Sequence, residues 1–159
     1  MLKLTTLVLA AILLTGAGAG RAYAQMYGPS VTVEMAKRAA APAVAEALKN
    51  KLTMAVAIVD THGELVYFEK MDDTQMGSVG VAIAKANSAV RFKRPTKAFQ
   101  DAVAAGGDGL RMLGLDGAVP VEGGIPLVVG GKIVGAIGAS GGTSQQDGVV
   151  AAAGAAALK

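Results

Sequence analysis

The chain contains no cysteine, no tryptophan and one histidine, His62. Without cysteine there is no disulfide, no thiolate zinc site, no thiol nucleophile, no acylated lipoprotein N-terminus and no C-x-x-C-H haem attachment. One histidine excludes a multi-histidine metal centre within one chain. No Walker A pattern and no G-x-G-x-x-G is present, which removes the usual nucleotide fingerprints. Aromatics make up 4% of the residues, and alanine, valine and glycine fill the space instead. Elements built from such small side chains have to approach one another closely, with subunit contacts adding burial.

Long hydrophobic runs are also scarce. Leu4–Leu14 is apolar but is broken by Gly16–Gly20, well short of the ~20 residues of a membrane-spanning helix. With Lys3 ahead of it and Ala22-Tyr23-Ala24 behind it, this stretch reads as a cleaved export signal over residues 1–24. The expectation is a periplasmic or secreted protein with no stable membrane span after cleavage. Setting aside Lys3 and Arg21 leaves 13 basic against 12 acidic residues, about +1 overall. Charge therefore gives no reason to expect nucleic acid as a partner. Residues 25–159 suffice for a single domain with a sizeable core.

The richest stretch is Pro120–Gly142, PVEGGIPLVVGGKIVGAIGASGG. Ile125–Val129 and Lys132–Ile137 are β-branched runs joined by Gly130-Gly131, the pattern of a hairpin closed by a type I′ turn. Upstream, Thr53–Val59 and Glu64–Met71 flank Asp60-Thr61-His62-Gly63, a turn that leaves His62 at its tip. Thr32 is placed to cap an alanine-rich helix over Val33–Asn50, which Pro42 kinks or divides. Ser78 is placed to cap a helix over Val79–Lys93, and Thr96 a shorter one to Ala104. Gly106 opens a flexible connection to Val119. A fifth strand is expected near Val119–Glu122. Thr143 and Gln146 form a capping box for a helix over Ser144–Leu158. Two hairpins without β-helix-β repeats predict an α+β layered domain rather than a doubly wound parallel sheet.

Several residues are candidates for chemistry. On the middle helix Val79, Ile83, Ala86 and Val90 form a core stripe, while Val81, Lys85, Ser88 and Phe92 lie on another side. That second side meets a subunit or a pocket, and Lys85 either snorkels or aims at an anionic group. Arg91, Lys93, Arg94 and Lys97 concentrate charge where this helix ends, as cations complementing its dipole do. Glu122, beside Gly123-Gly124, is either an acid, base or ligand anchor or an exposed strand-end charge. Gly138-Ala139-Ser140-Gly141-Gly142 satisfies G-x-S-x-G, but the only histidine precedes the serine, against the hydrolase order. Gly141–Ser144 is either an anion site at a helix N-terminus or a capped bend.

VDTHGELV, AIAKANSAVRFKRPTKAF and PVEGGIPLVVGGKIVGAIGASGGTSQQD together resemble the GlcG/HbpS family of small haem-binding and haem-degrading-type domains. The resemblance runs over roughly residues 30–158. It implies a profilin-like fold with a five-stranded antiparallel sheet flanked by helices, homo-oligomers, and binding of haem or a related tetrapyrrole without covalent attachment. It highlights Asp60, Gly63, Lys85, Arg94, Pro95, Thr96, Glu122, Gly123, Gly124, Ser140, Gly141 and Gly142. Lys85, Ser88, Arg94, Thr96, Gly123, Gly124, Ser140 and Gly141 are the expected cofactor-binding residues, with Lys85 and Arg94 suited to propionates. Candidate iron ligands are Thr96, Tyr27, a methionine and His62, including the His62 of a neighbouring subunit. A hydroxy- or keto-acid enzyme of glycolate-type metabolism, with Glu122 as base, is the alternative.

Overall fold

The computed structural model describes residues 26–158; the stretch expected to be an export signal, residues 1–24, lies outside them. The elements are α1 (Val33–Lys49), β1 (Ala55–Val59), β2 (Leu65–Lys70), α2 (Met76–Arg91), α3 (Lys97–Ala105), a 3₁₀ segment (Gly107–Gly114), β3 (Gly124–Val129), β4 (Lys132–Ser140) and α4 (Ser144–Ala155). The sheet is antiparallel with strand order β2-β1-β4-β3. Helices α1 and α4 cover one face, and α2 lies across β1, β4 and β3 on the other.

Strand β1 sits inside the sheet, and its two faces divide the core. Val56 and Ile58 join the α1/α4 side with Ile137, Ala139 and Val150. Ala55 and Ala57 face Ala82, while Val59 packs with Ala86, Ala89 and Val90. The small residues on the α2 side set the interlayer distance. A side chain on Gly138 would collide with the backbone of Ala82 and Ala86, so the helix backbone rests on the strand itself. This close approach is what the scarcity of aromatics permits.

The five-stranded expectation is corrected: among the described residues the sheet has four strands. Residues 119–122 are not a strand: the amides at both ends of the segment are taken by side chains. Val119 N donates to Ser88 Oγ at 3.0 Å and Glu122 N to Gln100 Oε1 at 2.9 Å, and Pro120 has no amide to offer a ladder. Of the kink or division expected at Pro42, the division is absent: α1 runs through the proline as one helix. The carbonyl that loses its partner there belongs to Arg38, an exposed residue, where water can replace the missing bond. The connection after Gly106 is largely 3₁₀-helical rather than irregular.

Other local expectations hold. Gly130 and Gly131 have φ of +55° and +75°, as the tight hairpin turn requires. Thr143 and Gln146 form the full capping box of α4. Thr96 stands at the N-cap of α3 as expected, but its hydroxyl makes no capping bond and is directed elsewhere, while Ser78 caps nothing: α2 begins at Met76 and Ser78 is buried.

Candidate functional site

The sequence-derived site residues separate into two groups. The first gathers around Lys85, which is fully buried. Its Nζ pairs with Asp147 Oδ2 at 2.5 Å and donates to Ala139 O at 3.2 Å. The anionic group at which this amine aims is therefore the chain's own carboxylate. Asp147 Oδ1 in turn accepts from Gly142 N at 2.9 Å, and Thr143 N donates to Gln146 Oε1. Of the two readings of Gly141–Ser144, the capped bend is the one found: the amides before α4 are occupied by α4's own side chains.

The glycines of this region are close-packing positions. A Cβ on Gly123 would meet Lys85 Nζ, Ala139 O and Asp147, and one on Gly124 would meet Lys85 O and Thr96. Thr96 is buried and exchanges hydrogen bonds with Gly124: its amide donates to Gly124 O, and its hydroxyl accepts from Gly124 N, both at 2.9 Å. Ser88 receives Val119 N, and Ser140 donates to Ser78 at 3.3 Å, far from the His62 turn. Gly141 lies against Thr53 and Met54, and Glu122 packs over Gly148 of α4. Arg94 is exposed and stacks over Phe99. Within a single chain, Lys85, Ser88, Thr96, Gly123, Gly124, Ser140 and Gly141 join the helices to the end of the sheet.

The second group forms an open cavity of about 460 Å³ at the C-terminal end of α2. It is lined by Tyr27, Thr61, His62, Gly63, Asn87, Val90, Arg91 and Gly117. Tyr27 and His62, two of the candidate iron ligands, meet here although 35 positions apart in sequence. Tyr27 is carried by an N-terminal segment that bridges to Ile133 beyond the end of β1. Its hydroxyl donates to Val90 O at 2.8 Å, and Lys93 Nζ stands 4.3 Å from its ring centroid.

His62 is held by its turn. Asp60 Oδ1 accepts from His62 N at 2.8 Å and Glu64 N at 3.0 Å, and Gly63 N closes the turn on Asp60 O. Burial opposes ionisation of Asp60, but the amides of Glu64 and His62 outweigh it and hold the carboxyl below its ordinary range. The His62 ring is 79% exposed, with Nδ1 3.6 Å from Asp60 Oδ2 and 3.4 Å from Thr61 Oγ1. With a proton on Nδ1 facing Asp60 and Thr61, the ring presents the lone pair of Nε2 outward, the atom available to a metal. Among the described residues no group of three or more acidic or histidine side chains forms a metal-binding cluster.

Among the lining residues Asn87 carries no sequence signal, Thr61 reads only as part of a turn and Arg91 only as a helix-end cation. Arg91 matches the pattern of a dipole-complementing cation, and only the return of residues 115–118 over the helix end places it in a wall. The signal that was legible was the concentration of cations at residues 91–97.

A family model described as "Haem degrading protein HbpS-like" matches residues 31–156. The chain is 36% identical over 107 residues to Protein GlcG of Escherichia coli K12, covering 67% of this chain and 78% of that one. Its fold superposes on the crystal structure of HbpS with a TM-score of 0.75 and 30% identity, covering 84% of this chain and 94% of HbpS. The crystal structure of a PduOC:haem complex matches with a TM-score of 0.73 and 29% identity, over 82% of this chain and 96% of that one. The fold, its small-residue packing and these likenesses agree: the chain belongs to the GlcG/HbpS family.

Proposed function

We propose that this chain is an exported, oligomeric binding protein for haem or a related tetrapyrrole, used in haem sequestration or breakdown, with its ligand at the Tyr27–His62 cavity. The observation that carries the reading is the convergence of an imidazole and a phenol in one open cavity beside two cations, Arg91 and Lys93. The donor set fits the group: both side-chain types ligate haem iron, and cations suit its carboxylates. His62 Nε2 would hold the iron, with Asp60 orienting the ring and Tyr27 on the same wall. When bound, haem iron supplies one-electron and dioxygen chemistry. The cavity walls are largely polar, so the macrocycle's apolar faces need cover from elsewhere.

Exposed Leu110, Leu113, Leu115, Val81 and Val121 offer apolar surface for a second copy, which supports the oligomer. The apolar stretch within residues 1–24 supports export. The haem complex of the PduOC relative supports the ligand class. No observation favours a hydroxy-acid enzyme: Lys85 is engaged by Asp147, and Glu122 lies against α4.

Titrating the protein spanning residues 25–159 with hemin tests the proposal. A saturable Soret shift that weakens in His62→Ala is expected. Absence of a shift, or a shift without a defined stoichiometry, overturns it.

A further inference from the structure

The structure assigns to Arg91 the role of receptor for an acidic group of the cavity's guest, with Asp116 as an internal competitor that holds the guanidinium until the guest arrives. This inference rests on the tetrapyrrole reading of the cavity and names a specificity determinant within it.

Arg91 is the last residue of α2, and its side chain forms part of the cavity wall. Two bonds from one nitrogen keep it there. Nη1 donates to Asp116 O at 3.2 Å and to Asp116 Oδ2 at 3.3 Å. The two acceptors are not equivalent. The carbonyl belongs to a backbone segment anchored by Ala118 N on Leu115 O and by Val119 N on the buried Ser88 hydroxyl. It can therefore position the guanidinium whether or not the carboxylate is engaged. The carboxylate itself is 98% exposed, and the arginine side chain 57% exposed. An ion pair so exposed contributes little to stability, and water or another anion replaces it at little cost.

Gly117 completes the arrangement. Its φ is +78°, and a side chain at this position would collide with Arg91 Nη1 and Cζ. A glycine here leaves room for the guanidinium beside the backbone. Guanidinium has five donors in a planar fork, and once Asp116 is displaced a carboxylate entering the cavity can take two of them in bidentate fashion. The other charged groups at the cavity are already arranged. His62 faces Asp60, and Lys93 stands over the Tyr27 ring. Displacing Asp116 from Arg91 thus converts a neutral pair into a cation directed at the guest. An uncharged guest gains nothing from the exchange, so the device discriminates by acidity.

The test compares hemin with its dimethyl ester, the same macrocycle without free carboxylates. Asp116→Asn removes the competing charge and is expected to tighten hemin binding roughly twofold to fivefold while leaving the ester unchanged. Arg91→Gln should reduce hemin affinity to about that of the ester. The preference of the unaltered protein for hemin should shrink as salt is raised. If the unaltered protein binds both forms equally, or if the two substitutions change both forms alike or not at all, the receptor role is overturned while the haem reading stands. If neither form binds, the haem reading falls and this role falls with it.

Discussion

Replacing Lys85 by methionine should cost much stability and leave ligand binding intact. The amine is fully buried with one carboxylate and one carbonyl as partners. Removing it strands the Asp147 carboxylate in the interior, a loss of about 3–5 kcal/mol. Domains of this kind have about 5–15 kcal/mol in total, so the variant folds but stands near the edge. With a urea dependence of about 2 kcal/mol per molar, the unfolding midpoint should fall by ~2 M. Asp147→Asn alone strands the ammonium and should cost a similar amount. The double variant Lys85→Met/Asp147→Asn removes both charges while the asparagine oxygen can still accept from Gly142 N. It should therefore be more stable than either single variant. Each protein is then titrated with hemin under conditions where it remains folded. A Lys85→Met protein with a nearly unchanged midpoint and abolished hemin binding would refute this reasoning. It would return the lysine to the ligand site that the family resemblance implies.

Gly138→Ala places a methyl group against the Ala82 carbonyl and Ala86 amide; a drop of about 3 kcal/mol is expected in urea unfolding, and a neutral result would mean the helix does not rest on the strand. Asp60 is held below its ordinary range, so its contribution is present above the unfolded carboxyl value and is lost as pH falls through the lower folded value. Thermal melts from pH 5 downward should show a decline starting below about pH 4, and Asp60→Asn should remove that part of the decline. Leu113→Glu should shift the sedimentation profile toward smaller species if the exposed leucines are covered by a second copy; an unchanged profile excludes this surface from the contact. Gly130→Asn should be tolerated, because asparagine accepts positive φ in a type I′ turn, whereas Gly131→Val should lower the melting temperature.

Local signals in the sequence had local causes and were readable. The Gly-Gly turn, the Thr143/Gln146 capping box and the Asp60–Gly63 turn each depend on residues a few positions apart, and each forms. The failures share a different origin. Val119–Glu122 looks strand-like, yet its amides are taken by Ser88 and Gln100, residues 31 and 22 positions away. The periodicity of α2 leaves Lys85 either snorkelling or aimed at an anionic group, and nothing local identifies Asp147, 62 positions on, as that group. Tyr27 and His62 could each be named as donors from their side chains alone. Their meeting depends on the N-terminal segment pairing with β4 beyond the end of β1, a matter of tertiary register. Arg91 had the most ordinary explanation available, a cation at a helix end, and acquires another only through a loop 25 positions later.

The most direct measurement is amide chemical-shift mapping of the isotopically labelled protein on addition of zinc protoporphyrin, a diamagnetic stand-in for haem. Binding at the cavity predicts shifts concentrated on Thr61–Gly63, Asn87–Arg91 and Asp116–Gly117. Shifts concentrated instead on Thr96, Gly123-Gly124 and Ser140–Gly142 would contradict it.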